Sequence, residues 1–255
     1  MKKVKVISSM ISTDSYSMML NSITDLVKIR KSSYVCVSNV HMLIESYNSG
    51  SFNKILDRAD IATPDGMPLA KAIKLLYGIK QDRVAGMDLM PDLMKISQEK
   101  NLSIFLYGST DDTLAKIVSK TKEEFHNLKL DVYSPPFRTI TDTEKEDIIT
   151  MINEKNPDFV FVALGCPKQE KWMAEHKNKI NSCMIGLGGA LEVYAGIKDR
   201  APKWMQDYSL EWLYRLVQDP KRLWKRYLVT NTLFIVLLFI QVVKVKIFKF
   251  KEEQE

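Results

Sequence analysis

The sequence predicts an α/β fold: a parallel sheet with helices on both faces, followed by a C-terminal helical appendage that associates with a membrane. Three observations predict it. Short β-branched apolar runs alternate with stretches of helical period, the runs end at Gly, Asn or Pro, and the composition changes near Lys198 to Lys203.

The general class follows from composition. Of 255 residues, 45% are apolar and 27% charged, with 10 Gly and 9 Pro and no low-complexity run, which excludes disordered, collagen-like and disulfide-scaffold chains. Cys36, Cys166 and Cys183 are odd in number, far apart and free of C-x-x-C or nearby His spacing, so neither a disulfide framework nor a zinc site is expected. Lys2, Lys3 and Lys5 open the chain without an apolar run of secretory length, so the protein is expected to stay in the cytoplasm or face it. The net charge of +6 is uneven: from Arg200 onward there are 11 Lys/Arg against 6 Asp/Glu.

Taken in order, Tyr34-Val-Cys-Val-Ser38 reads as a strand that feeds, through Asn39, a helix with Val40, Leu43, Ile44 and Tyr47 on one side. Ile55 to Ala62 leads into the turn Thr63-Pro-Asp-Gly66, and Met67 to Leu76 is helical. Leu102 to Tyr107 is a buried strand closed by Gly108, with a helix beyond Ser109 to Asp112. Asp158 to Leu164, closed by Gly165, repeats the pattern and precedes a helix from Lys168 to His176. Ser182 to Leu187 is a further strand ending in Gly186-Leu-Gly-Gly189. Ligands of such sheets bind outside the carboxyl ends of the strands, which makes Ser38, Asn39, Gly108, Gly165, Gly188 and Gly189 candidates; tight turns alone would also explain the glycines. The chain is expected to divide into a core, 1–198, and an appendage, 199–255.

Phosphate-loop, dinucleotide, serine-hydrolase and zincin motifs are absent, as is an Asp-x-Asp at a strand end. Asp142-Thr-Glu144 reads as a helix cap with solvated acids. Asp65, beside a Pro-fixed turn, is either a helix cap or a general base held on a rigid element. In Gly165-Cys-Pro-Lys-Gln-Glu-Lys-Trp172 a helix entrance attracts anions, and Lys168 or Gln169 could hold phosphate or sugar hydroxyls; the bland reading is a polar helix opening.

In the appendage, Asp219-Pro220 reads as a cap and first helical position. Arg222 and Arg226 share a face that Arg215 could join, either as a solvated basic surface or as a clamp on a diphosphate. Leu233 to Ile240 with Val242-Val243 makes an apolar run of about 11 residues, short of the roughly 20 of a membrane span. Lys244, Lys246, Lys249 and Lys251 follow it, and an apolar run flanked by cations suits a segment lying in an anionic interface, against a soluble packing helix.

Seven segments in order then resemble the WecG/TagA/CpsF glycosyltransferases, glycosyltransferase family 26: Ser38-Asn39, Thr63-Pro-Asp-Gly-Met-Pro68, Arg83-Val-Ala-Gly-Met-Asp-Leu89, Gly165-Cys-Pro-Lys-Gln-Glu170, Gly188-Gly-Ala190, Arg200-Ala-Pro-Lys-Trp204 and Glu211-Trp-Leu-Tyr-Arg215. The resemblance implies a Rossmann-like core and a membrane-meeting appendage that lends arginines to the site. It implies inverting, metal-independent transfer of a sugar from a UDP-sugar to a lipid-linked acceptor, typically undecaprenyl-diphosphate-N-acetylglucosamine, at the cytoplasmic face of the membrane, in teichoic acid or other envelope polysaccharide synthesis. N-acetylmannosamine is the expected sugar; UDP-glucose and UDP-N-acetylmannosaminuronic acid are alternative donors, and a non-enzymatic nucleotide-sugar or lipid-headgroup binding module is the alternative class.

Carried over by position, Asp65 matches the family's proposed base, Asn39 and Gln169 match pocket residues, and Arg83 matches an arginine near them. Ser38 stands where Thr is expected and keeps the hydroxyl. Leu191-Glu192 stands where Phe-Asp is usual after Gly-Gly-Ala, a departure that bears on how uracil or ribose is bound and on the identity of the donor. The expected catalytic set is therefore Asp65, Arg215, Arg222 and Arg226, and the expected substrate set is Ser38, Asn39, Arg83, Gln169, Gly108, Gly165, Lys168, Gly188, Gly189 and Glu192. No metal and no cofactor is expected. The expected partners are the UDP-sugar, the lipid-linked acceptor and an anionic membrane surface, with no nucleic acid; a homo-oligomer stays open.

Overall fold

The structure, a computed structural model, describes residues 1–29 and 32–246. Its elements are, in order, β1 (Lys2–Val6), β2 (Ser9–Thr13), α1 (Tyr16–Lys28), β3 (Ser33–Ser38), α2 (Val40–Asn48), α3 (Gly50–Asp57), β4 (Ile61–Pro64), α4 (Met67–Tyr77) and α5 (Gly86–Glu99). Then come β5 (Ser103–Gly108), α6 (Asp111–Glu124), β6 (Lys129–Tyr133), α7 (Asp142–Lys155), β7 (Phe159–Ala163), α8 (Lys168–His176), β8 (Cys183–Gly186), α9 (Ala190–Tyr194), α10 (Lys203–Asp207), α11 (Glu211–Gln218) and α12 (Pro220–Lys246). Six strands form one sheet in the order β4-β3-β8-β7-β5-β6, parallel along β3, β8, β7, β5 and β6. The α/β class expected from the alternation is the one observed.

Central strands of a parallel sheet are covered on both faces, and their composition shows it. Phe159, Val160, Phe161 and Val162 of β7 and Met184 and Ile185 of β8 are wholly buried, and each such side chain contributes about 1.5–3 kcal/mol of transfer free energy. Gly108 closes β5 at φ +113°, where a Cβ would lie 2.5 Å from the Ala163 carbonyl oxygen. That glycine is required by strand packing. Thr141 and Glu144 make a reciprocal capping box on α7, which accounts for the acids around Asp142.

The chain forms two compact units. One comprises 1–19, 37–85 and 200–255; the other comprises 20–36 and 86–199. Within the first, β1 and β2 pair as an antiparallel hairpin, which the alternation of Lys with Val in β1 does not announce.

The tail departs from expectation in length. It is one helix, α12, of 27 residues, long and apolar enough to cross a membrane by length and composition. Thr230, Asn231 and Thr232 do not interrupt it, because the Thr230 hydroxyl donates to the Arg226 carbonyl and so finds a partner inside the helix. Pro220 opens the helix as its first residue, as expected. The helix packs on α2 and α4 through a buried stripe of Leu223, Thr230, Phe234 and Gln241. Gln241 ties it to the β1–β2 hairpin: its Oε1 accepts from the Ile7 N–H in the turn at 2.8 Å and its Nε2 donates to the Lys5 carbonyl of β1 at 3.0 Å. Trp224, Leu228, Ile235 and Phe239 remain exposed, so α12 is a candidate membrane-associating segment. Lys249 and Lys251, with Ile247, Phe248 and Phe250, lie outside the described residues.

Candidate active site

In the first unit, the ends of β3 and β4 run side by side. The Asp65 N–H donates to the Ser38 carbonyl at 2.7 Å, which sets Asp65 next to Asn39. Asn39 caps α2, its Oδ1 accepting from the Met42 N–H at 3.1 Å; that leaves its amide N–H₂ to donate to the Asp65 carboxylate. Gly66, at φ +95°, and not Asp65, occupies the N-cap of α4. The capping alternative for Asp65 therefore does not hold here.

A second pair of segments brings in Arg83. The Val84 N–H donates to the Pro64 carbonyl at 2.9 Å and the Thr63 hydroxyl to the Val84 carbonyl at 3.2 Å, so residues 63–65 and 83–84 are held together. The Arg83 guanidinium is almost buried and bridges Glu211 at 3.1 Å and Gln206 at 2.7 Å. Glu211 also takes Arg215, one turn further along α11, at 2.6 Å. Burial pushes the Asp65 carboxyl up to about 7; the Glu211 charge adds to the rise, while Arg215, Arg83 and the Asn39 hydrogen bond oppose it. A carboxylate that is only partly accessible and has this proton affinity is matched to accepting a proton near neutral pH.

The other expected arginines are placed differently. Arg226 is exposed on α12 and bears on His41 of α2, whose imidazole burial, then Arg226, hold below the usual range against the pull of Glu45. Arg222 turns to Asp219 and is mostly exposed. Of the three tail arginines, Arg215 is the one whose charge acts on Asp65.

In the second unit, a buried polar cluster joins the ends of β7 and β8. Leu187 and Gly188 donate backbone N–H groups to the Val162 carbonyl at 3.0 and 3.3 Å. Gln169 sits beneath this loop: its Oε1 accepts from the Gly165 N–H at 3.1 Å, and its Nε2 donates to Glu170 Oε1 at 2.7 Å. A Cβ at Gly186 would lie 2.8 Å from Gln169 Nε2, and one at Gly188 3.1 Å from its Oε1, so both glycines make room for that amide. Burial pushes the Glu170 carboxyl up to about 7, against hydrogen bonds from Gln169, its own backbone N–H and Cys166. Gly165 and Gly189 face open space and Lys168 is exposed. Glu192 is engaged by Lys198 at 2.5 Å. Gly108 packs on Ala163, the residue after Val162.

Glu211, Gln206 and Glu170 were not singled out from sequence. Glu211 and Arg215 carried a signal, an acid and a base four residues apart, but that spacing also describes any surface helix pair.

A largely enclosed carboxyl at a strand end, with the charges of Arg83 and Arg215 bearing on it, is the kind of site a group-transfer enzyme uses, and similarity gives the class directly. Residues 4–247 match the family model described as the glycosyl transferase WecG/TagA/CpsF family, so the chain belongs to that family and is a glycosyltransferase. Among its relatives, a Bacillus subtilis (strain 168) protein named N-acetylglucosaminyldiphosphoundecaprenol N-acetyl-beta-D-mannosaminyltransferase is 37% identical over 178 residues, 68% of this chain and 66% of the relative. Proteins of the same name from Bacillus spizizenii and Staphylococcus aureus (strain MW2) are 30% and 29% identical, over 78% and 74% of this chain and 76% and 74% of theirs.

Proposed function

We propose that this glycosyltransferase moves N-acetylmannosamine from UDP-N-acetylmannosamine to undecaprenyl-diphosphate-linked N-acetylglucosamine, with inversion and without a metal ion, in envelope polysaccharide or teichoic acid synthesis. The relatives' names supply the sugar and the acceptor. The observation that carries the chemistry is Asp65, released from any capping role and held at a proton affinity near neutrality beside Arg83, Glu211 and Arg215.

In this mechanism the acceptor hydroxyl gives its proton to the Asp65 carboxylate as its oxygen bonds to the anomeric carbon. The bond from that carbon to the diphosphate breaks on the opposite face, and its electron pair leaves with UDP. Arg215, still 40% exposed beyond its contact with Glu211, meets the charge that develops on a diphosphate, for which a guanidinium is suited. In the second unit we assign donor recognition to Gln169, Lys168 and the backbone at Gly165, Gly188 and Gly189. Residues 1–198 serve as the catalytic core and 199–255 as the appendage. The exposed apolar side of α12, with cations at Lys221, Lys225, Lys244 and Lys246 near its two ends, supports peripheral attachment at the cytoplasmic face of an anionic membrane.

The test is UDP release from a donor panel of UDP-N-acetylmannosamine, UDP-N-acetylmannosaminuronic acid and UDP-glucose, with one lipid-linked N-acetylglucosamine diphosphate acceptor, with and without EDTA. Release from the first donor, undiminished by EDTA, is expected. UDP that binds but is never released from any donor would favour a binding module instead, and activity lost to EDTA and restored by Mg²⁺ would end the metal-independent mechanism.

A further inference from the structure

Glu211 is the first residue of α11, a position where an acid ordinarily faces solvent and gains a few tenths of a kcal/mol from the helix dipole. Here its side chain is turned inward and only 17% exposed. Its two carboxylate oxygens are divided between two guanidiniums: Oε2 takes Arg83 at 3.1 Å and Oε1 takes Arg215 at 2.6 Å. The arginines come from distant parts of the chain, 128 residues separating Arg83 from Glu211. Gln206 completes the hold on Arg83, its Oε1 accepting from Arg83 at 2.7 Å and from Arg200 at 3.2 Å while its Nε2 donates to the Ala201 carbonyl.

Two cations gathered beside one carboxyl would repel each other and hold that carboxyl ionised, leaving it a poor base. A second carboxylate between them removes both difficulties. With Asp65 ionised, Asp65, Glu211, Arg83 and Arg215 sum to zero charge; with Asp65 protonated, they carry one positive charge.

We infer that Glu211 is a positioning residue for catalysis: by gripping Arg83 and Arg215 together it fixes both guanidiniums beside Asp65 and offsets enough of their charge for Asp65 to accept a proton. The inference rests on Asp65 as the base. Glu211 touches no reacting atom in this scheme and acts through the three side chains. The groups that bear on Asp65 are Glu211 and Arg215 from α11, Arg83 from the segment before α5 and the Asn39 amide at the start of α2.

The experiment compares the full-length chain with Glu211→Gln, reading the Asp65 titration by carbon-13 NMR of its carboxyl, assigned by difference from Asp65→Asn, together with the pH profile of kcat. Glu211→Gln keeps the size and an acceptor oxygen but removes the charge. The Asp65 midpoint and the acid limb of kcat should both move down by about one pH unit, and the plateau kcat should fall about tenfold. A midpoint that does not move overturns the proposal, since loosening α11 alone would lower activity without moving it. Should Glu211→Gln fail to fold, Glu211→Asp carries the test. Its charge is kept but its shorter arm cannot span both guanidiniums, and the one it releases no longer holds the Asp65 carboxyl down, so the Asp65 midpoint should move up while kcat falls about tenfold; an unmoved midpoint there overturns the proposal. Full activity in Asp65→Asn would instead remove the base assignment, and the NMR midpoint would still report on what Glu211 does to Asp65.

Discussion

Replacing Glu170 by Gln should make this protein more stable at alkaline pH and leave it nearly unchanged at pH 5. Glu170 is wholly buried, its Oε1 accepting from Gln169 at 2.7 Å, and burial lifts its carboxyl from 4.5 to about 7. The folded state therefore binds a proton more tightly than the unfolded state between pH 4.5 and 7. The stabilisation this supplies is full below the unfolded value, is lost as the pH rises through the folded one, and is gone above about pH 7. About 2.5 units at about 1.4 kcal/mol each is about 3.5 kcal/mol in full, of which somewhat under 1 kcal/mol is already lost at pH 5, above the unfolded value. The Gln variant keeps an acceptor for Gln169 and ionises nowhere in this range, so its advantage over wild type should be about 2.5 kcal/mol larger at pH 8 than at pH 5. For a chain of this size that is a rise in relative Tm of roughly 5–10 °C. Asp65 titrates in the same window but is present in both chains and cancels in the difference. Paired calorimetric scans from pH 5 to pH 8 measure it. A difference that stays constant with pH, or that favours wild type at pH 8, would refute the assignment of a protonated carboxyl at this position.

Three further outcomes are expected. Asp65→Asn should lower turnover by about 10²–10⁴-fold with UDP affinity, measured by calorimetry, little changed; wild-type turnover would remove Asp65 from the mechanism. Gly186→Ala puts a Cβ 2.8 Å from Gln169 Nε2 and 3.0 Å from Met173 Cε. It should displace the amide and weaken UDP binding about tenfold, whereas unchanged affinity would mean that Gln169 does not serve the donor. A chain ending at Thr232 loses the buried Phe234 and both Gln241 hydrogen bonds to the β1–β2 hairpin. It should unfold about 3 kcal/mol more easily in denaturant and sediment less with anionic vesicles; unaltered sedimentation would place the membrane contact elsewhere.

The sequence by itself determined the four central strands of the sheet, β3, β8, β7 and β5. A strand buried on both faces must be apolar along its whole length, so Phe159 to Ala163 and Ser103 to Gly108 announce themselves locally, and a parallel strand must be followed by a turn and a covering helix. The ordered short motifs likewise mark Asp65, Arg83 and Arg215, whose charges the fold brings to bear on one another. Mixed and exposed strands gave no such signal: β1 alternates Lys with Val, and β6 is largely exposed at the sheet edge. The apolar run of the tail was visible, yet the unbroken length of α12 was not, because whether Thr230 breaks a helix depends on whether its hydroxyl finds a partner within it.

Only the tertiary structure decided which charges meet. Helical spacing puts Arg222 and Arg226 on one face and leaves both open as partners for a diphosphate, but it cannot say which guanidinium's charge bears on Asp65; that of Arg215 does, and Arg222 pairs with Asp219. The local signal that Asp65 caps a helix was overruled by the φ of Gly66, and Glu192 was drawn to Lys198. Local spacing offers each of these charges several partners and does not choose among them, and periodicity, which reports only burial along one element, records no pairing between elements. The grip of Glu211 on Arg83, across 128 residues, came from the fold alone.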